Sequence, residues 1–303
     1  MKIVIAGGTG FIGRALIDEL SGAGHQVVAL SRNAEKGRQV LGDVAVIAQW
    51  DGKSASGWAE HVDSAGAIVN LAGESISSGR WTRSKKARIL KSRLDAGQAV
   101  VEAILNAGRK PKVVIQSSGI GYYGPRSDEV DESSAAGSGF LPQVAQEWEA
   151  STKKVQEMGV RQIVVRTGVV LGKSGGALPR LLTPFRLFIG GPLGNGKQYF
   201  PWIHLRDEVK AIRFLAESEK LEGPFNLVAP ESLTMKDFSV MLGKVMKRPS
   251  WLKVPGFALR LVFGQMAEEV LLSGQRALPR RLMQAGYEFA YPSLEPALRE
   301  ILG

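Results

Sequence analysis

The chain of 303 residues contains no cysteine. That excludes disulfides, thiolate nucleophiles, cysteine–zinc sites and iron–sulfur clusters. Histidine is scarce: His25, His61 and His204 are the only three. They lie far apart, with no H-E-x-x-H, so no metal site is expected. No apolar run approaches the ~18 residues of a membrane span. The start, Met1-Lys2-Ile3-Val4-Ile5-Ala6-Gly7-Gly8, turns to glycine too early for a signal peptide. A soluble cytoplasmic protein with no membrane partner is therefore expected. Acidic residues are short in supply, 29 against 39 Lys and Arg, for a formal net charge of +10. An excess of this size points to an acidic partner: nucleic acid, a membrane surface or a phosphorylated ligand. Hydrophobic residues at 44% and charged residues at 22% give an ordinary globular composition. The length suits two domains, or one large α/β domain with an appendage.

Short β-branched runs alternate with helical patterns through the first half. Strands are expected at Lys2–Ala6, Gln26–Leu30, Ala45–Ala48, Ala67–Leu71, Lys112–Gln116 and Gln162–Arg166. Most are nearly continuous apolar runs, as strands covered on both faces require. Helices are expected from Gly10 to Gly22, through Leu90, Leu94, Val101 and Ile104, and from Leu141 to Met158. This order implies an α/β fold, a doubly wound parallel sheet of the Rossmann type. Gly190-Gly191-Pro192-Leu193-Gly194-Asn195-Gly196 reads as a turn-rich loop. A helix from Arg206 to Ser218 and a strand at Phe225–Val228 follow. From Thr234 the chain is mostly helical. We place a boundary near residue 230, between a dinucleotide-binding domain over 1–230 and a smaller, mostly helical substrate region over 231–303.

Gly7-Gly8-Thr9-Gly10-Phe11-Ile12-Gly13 links the first strand to the first helix. Gly7 permits the tight turn, Gly10 leaves room for a pyrophosphate, and Gly13 lets the helix approach the sheet. The helix N-terminus then faces the phosphates. NAD binders place a carboxylate at the end of the second strand, on the ribose hydroxyls. Here Ala29-Leu30-Ser31-Arg32-Asn33 has none. Arg32 can hold a 2′-phosphate through a bidentate contact and Ser31 can donate to it, so NADP(H) is the expected cofactor.

These motifs occur in one order with Asn70-Leu71-Ala72-Gly73, Ser117-Ser118, Tyr123-Gly124 and Arg166-Thr167-Gly168-Val169-Val170-Leu171-Gly172. The set resembles the extended short-chain dehydrogenase/reductase superfamily, in its nucleotide-sugar epimerase/dehydratase group. Gly79-Arg80-Trp81-Thr82, Ser92-Arg93, Trp148-Glu149, Trp202-Ile203-His204 and Gly274-Gln275-Arg276 narrow the resemblance to the YfcH-like "epimerase family" with its C-terminal domain of unknown function. The resemblance implies that Gly7, Thr9, Gly10, Phe11 and Ile12 hold the pyrophosphate and adjoining ribose, and that Ser31 and Arg32 hold the 2′-phosphate. It places Leu71, Ala72 and Gly73 on the adenosine side and Arg166 to Val170 near the nicotinamide.

Typical members of that superfamily use a Tyr-x-x-x-Lys pair for acid–base work, with a Ser or Thr after the fifth strand orienting the substrate oxygen. Ser118 can fill the last role. The pair is absent: residues 126, 127, 203, 291 and 295, four positions after each of the five tyrosines, are not lysine. If Glu149 matches the glutamate closing the usual helix, Leu141 and Ala145 occupy the two catalytic positions. Tyr122 and Tyr123 are candidate substitutes, each weighed against packing at the pocket wall. Glu147, Glu149 and His204 are weaker candidates.

Trp81, Tyr199 and Trp202 are read either as a stacking site for a ring or as core aromatics. Arg80, Arg83, Lys85, Lys86, Arg88, Lys91 and Arg93 form a basic cluster. It is read as a solvated helix face, with Arg80 or Arg93 as candidates for a substrate or cofactor phosphate; nucleic acid is the least favoured partner. Two functions stay open. One is an NADP(H)-dependent epimerase or oxidoreductase acting on a small polar substrate, nucleotide-linked or otherwise phosphate-bearing among the options. The other is a catalytically weak NADP(H)-binding sensor.

Overall fold

The β-branched runs of the first half assemble side by side. A computed structural model, describing residues 1–303, shows strands β1 (Lys2–Ala6), β2 (Gln26–Ser31), β3 (Val46–Gln49), β4 (Ala67–Asn70), β5 (Val113–Gly119), β6 (Arg161–Thr167) and β7 (Gly223–Leu227). They form one seven-stranded sheet in the order β7-β6-β5-β4-β1-β2-β3. Every pairing in it is parallel. The chain enters at the centre, winds outward through β2 and β3, then returns to β1's other side as β4. A crevice opens where that direction reverses, beyond the carboxyl ends of β1 and β4.

Helices α1 (Phe11–Gly22), α2 (Ala34–Leu41), α3 (Arg83–Leu105), α4 (Phe140–Ala150), α5 (Leu178–Arg186) and α6 (Leu205–Glu217) connect or flank the strands. On one face, Leu16, Ile17 and Leu20 of α1 share a buried cluster with Val209, Ile212 and Leu215 of α6. On the other, α3 buries Ala96, Ala99, Val100, Ala103 and Ile104 against the sheet. Their spacing of three and four residues makes one stripe of the helix apolar. Thr82 caps α3 by accepting from the Lys85 N–H. Small side chains let α3 sit close to its neighbour: a Cβ on Gly97 would lie 1.9 Å from the Ser151 hydroxyl.

The helix expected from Leu141 to Met158 is shorter. It ends at Ala150, and a separate 3₁₀ segment spans Lys153–Met158. The Gln162 side chain on β6 donates to the Glu149 carbonyl and to Thr152, offering the chain a tertiary partner where the helix would have continued.

Beyond β7 the chain is mostly helical, with α7 (Met235–Met246), α8 (Gly256–Phe263), α9 (Arg280–Gln284) and α10 (Leu294–Leu302). A capping box between Thr234 and Asp237 starts α7. One buried cluster runs from Leu171, Leu182 and Trp202 to Phe238, Leu242 and Leu298, so it crosses residue 230. Arg276–Ala277 also pairs in parallel with Glu129–Val130. The C-terminal helices thus pack onto the first part of the chain and wall the region above the sheet.

Candidate functional site

The first turn shows why its glycines are needed. Gly7 has φ +84°, and a Cβ there would lie 3.0 Å from the Leu71 carbonyl at the end of β4. A Cβ on Gly13 would lie 2.3 Å from the Gly7 oxygen, so only glycine lets α1 start this close to the sheet. Around Gly10 the chain is open: the one atom near a Cβ would be the Gly7 oxygen, at 3.2 Å. No side chain caps α1. Its first N–H groups therefore face the crevice and suit an anion.

Gly7, Thr9, Gly10, Leu71, Ala72 and Gly73 line a polar cleft of about 460 Å³, with Ser31 and Arg32 at its far wall. Arg32 is exposed and its guanidinium has no partner within the chain. Ser31 donates to the Asn33 carbonyl at 2.8 Å and accepts from the Asn33 N–H, which fixes the turn that presents Arg32. The only carboxylate on the cleft wall, Glu74, is neutralised by Lys85 at 2.7 Å. The Lys85 hydrogen bond lowers the Glu74 pKa, with Arg88 adding to it. An open glycine cradle, a free helix N-terminus and an unpaired arginine fit a dinucleotide carrying a 2′-phosphate. Phe11 is the first residue of α1, so its N–H is one of those facing the crevice. Its ring packs over Gly172, Gly175 and Gly176, so only its backbone is available to a pyrophosphate.

Leu71 also lines a second cavity of about 390 Å³, mostly apolar, into which Ile12 and Ser118 project. Strand register builds the polar group beneath it. Ser118 of β5 stands opposite Arg166 of β6, and Arg166 stands opposite Asn226 of β7. Glu149 reaches in from α4. Its carboxylate accepts from the Ser118 hydroxyl at 2.7 Å and from Arg166 Nε and Nη2, each at 2.9 Å. Burial opposes the Arg166 charge, but the Glu149 carboxylate outweighs it and the pKa is raised.

Arg166, Tyr122 and Tyr123 lie apart from the cavity wall, contrary to the expected roles. The Arg166 guanidinium stacks 3.4 Å from the Tyr122 ring centroid and donates to the Tyr123 hydroxyl at 3.0 Å. The Tyr123 hydroxyl donates in turn to Asn226 Oδ1 at 2.8 Å. Burial pushes its pKa up to about 12. This phenol is a fixed core group. The cavity is lined instead by residues that include the apolar Leu141 and Ala145 of α4.

Other expected groups also turn inward. Trp202 is 1% and Trp81 8% exposed, and only Tyr199 of the three aromatics lines the cavity. His204 caps α6 through Nδ1, contacts Glu300 through Nε2 and stacks on Tyr291. Burial lowers its pKa. Within the basic cluster, Arg80, Arg83, Arg88 and Lys91 are exposed, whereas Lys85 and Arg93 are buried. Sequence reasoning missed polar groups on the cavity wall, among them the Trp148 indole, Gln198, Glu269 and Ser273, and read Tyr199 only as a ring. Gln198 and Ser273 come from distant loops and carry no local signal.

The description "NAD dependent epimerase/dehydratase family" matches residues 3–227, and a domain of unknown function, DUF1731, matches residues 254–301. The chain is 38% identical to the human epimerase family protein SDR39U1 over the full length of both. It is 38% identical to the epimerase family protein YfhF of Bacillus subtilis, spanning all of this chain and 98% of that one. A crystal structure of human SDR39U1 (isoform 2) with NADPH superimposes with a TM-score of 0.90 at 38% identity, covering 99% of each chain. Fold, cleft and matches agree: the chain belongs to the NAD dependent epimerase/dehydratase family, among the SDR39U1- and YfhF-like epimerase family proteins.

Proposed function

We propose that this chain binds NADP(H) across the polar cleft and acts as an epimerase- or oxidoreductase-like protein on a small polar substrate in the adjoining cavity. The observation that carries this reading is the junction of the two spaces at Leu71. The first suits the phosphate-bearing half of a dinucleotide. The second offers the nicotinamide a water-poor chamber with a hydroxyl, Ser118, on its wall. The NADPH in the human relative's structure supports the choice of cofactor.

When bound, the nicotinamide supplies hydride transfer. The chain's own residues orient and shield. The Ser118 hydroxyl donates its hydrogen bond to Glu149, so its lone pairs are left to accept from a substrate hydroxyl. The Glu149–Arg166 pair holds Ser118 in that orientation. Val144, Val170 and Phe200 exclude water from the reacting region. Tyr199, whose hydroxyl has no partner within the chain, is the phenol available to this cavity.

A second reading, a cofactor-bound sensor with little catalysis, draws on one observation: Leu141 and Ala145 make the usual acid–base positions apolar. Fluorescence titration with NADPH and NADH, followed by a screen of carbonyl compounds for NADPH oxidation, separates the two. Turnover with any of them supports the enzyme. Tight NADPH binding with no turnover across the screen supports the sensor, and the absence of NADPH binding overturns both.

A further inference from the structure

The second cavity contains a cation with no counter-ion. Arg93 projects from the buried stripe of α3, is 8% exposed, and lines the cavity. Its Nη1 donates to the carbonyls of Glu74 and Ile89, at 3.0 and 2.9 Å. Its Nε is buried and donates to nothing. Its guanidinium lies 4.5 Å from the Trp148 ring centroid. The Trp148 indole N–H, also buried and on the same wall, has no acceptor either. Glu74, the acid whose charge acts on Arg93, is held by Lys85. Gln198 Oε1 and Ser273 Oγ are two further unpartnered buried atoms on this wall.

Unpartnered buried polar atoms are uncommon in folded proteins, and each one calls for a partner. Here the four residues that carry them line one cavity. An unpaired guanidinium in an apolar enclosure is the strongest of those demands. Glu269 is the acid on the cavity wall, and its carboxylate is engaged with the first N–H groups of α4 and with Gln265. It leaves Arg93 unneutralised. The planar fork of an arginine matches a carboxylate in shape, and its single charge matches a monoanion.

We infer that the cavity takes a carboxylate-bearing organic acid, its carboxylate on Arg93 beside Trp148, its apolar body against Val144 and Leu271, and a neutral polar group toward Gln198 and Ser273. This deepens the proposed function by naming the class of substrate, and rests on that reading only for the chemistry that follows binding.

The test titrates the full chain, with and without saturating NADP⁺, against phenylacetate, phenylpropionate and phenylbutyrate, each beside its primary amide and its phosphonate. At least one carboxylate is expected to raise the melting temperature and to bind about tenfold more tightly than its amide and phosphonate. Arg93→Gln should remove that preference while changing NADPH affinity less than about threefold. Trp148→Phe, which keeps a ring under the guanidinium but deletes the indole N–H, should weaken the carboxylate a few-fold. It serves as the readout if the Arg93 variant fails to fold. The inference is overturned if no carboxylate is preferred, if the phosphonate binds better, or if either variant keeps the full preference. It is equally overturned if Arg93→Gln acts mainly on NADPH. Carboxylate preference in a protein that does not bind NADPH would sink the cofactor reading and leave this subsite standing.

Discussion

The Ser118 hydroxyl donates to Glu149 Oε1 at 2.7 Å, on a carboxylate already gripped by Arg166. This fixes which way Ser118 can act: its proton faces the protein and its lone pairs face the cavity. The same contact ties α4 to β5 and β6, so the site and the core share one anchor.

Removing that anchor should be felt as stability. Glu149→Gln leaves the buried Arg166 without its charge partner. We expect a loss of about 3–5 kcal/mol, toward the lower end because Glu149 keeps some solvent. Ser118→Ala should lose only about 1 kcal/mol. Urea unfolding of both variants checks this; equal losses would contradict the assigned hierarchy.

Arg32 should discriminate between cofactors. Arg32→Ala is expected to weaken NADPH by about tenfold or more and to leave NADH nearly unchanged, because only NADPH carries the 2′-phosphate. Fluorescence titration reads both. Equal effects on the two cofactors would remove Arg32 from the phosphate site.

Two glycines of one motif should behave differently. Gly13→Ala forces a Cβ to 2.3 Å from the Gly7 oxygen, backbone against backbone. A loss of about 1–3 kcal/mol is expected. Gly10→Ala meets only one atom, at 3.2 Å, and should fold nearly as well. It should still weaken NADPH, since its methyl occupies the phosphate's approach. Thermal melts beside titrations separate the two effects.

Glu208 should give the protein a pH signature. Its carboxyl is fully buried, accepts from Thr167 at 2.8 Å, and is pushed by desolvation from 4.5 up to about 8. The folded chain therefore holds a proton that the unfolded chain releases. This stabilisation is fully present below about 4.5 and is lost as pH rises toward about 8. Glu208→Gln should gain on the wild type between pH 5 and pH 9. Parallel stability curves across that range would contradict the assignment.

Much of this was legible in the sequence, for physical reasons. Strands covered on both faces read as continuous apolar runs, and β1, β2, β4 and β5 stand where those runs stand. The glycine turn was equally plain, since close approach and open space each select glycine. What escaped depended on tertiary partners. The break after Ala150 is set by Gln162, a residue of the next strand. Tyr122 and Tyr123 stayed open between an acid–base role and packing, because nothing local shows that strand register sets Arg166 and Asn226 against them. Arg93 stood out only as a phosphate candidate within a basic run; its burial was signalled by the spacing of Ile89, Arg93, Ala96 and Val100, that of a buried stripe. The basic excess that pointed to an acidic partner narrows here to two specific arginines, Arg32 and Arg93.

One NADP(H) molecule should span both spaces, and a crystal structure of the chain with NADPH would show its course. The 2′-phosphate is expected on Arg32, the pyrophosphate over Gly10 at the start of α1, and the nicotinamide in contact with the cavity wall near Ser118 and Val170. A nicotinamide outside that cavity, or a 2′-phosphate away from Arg32, would contradict that course.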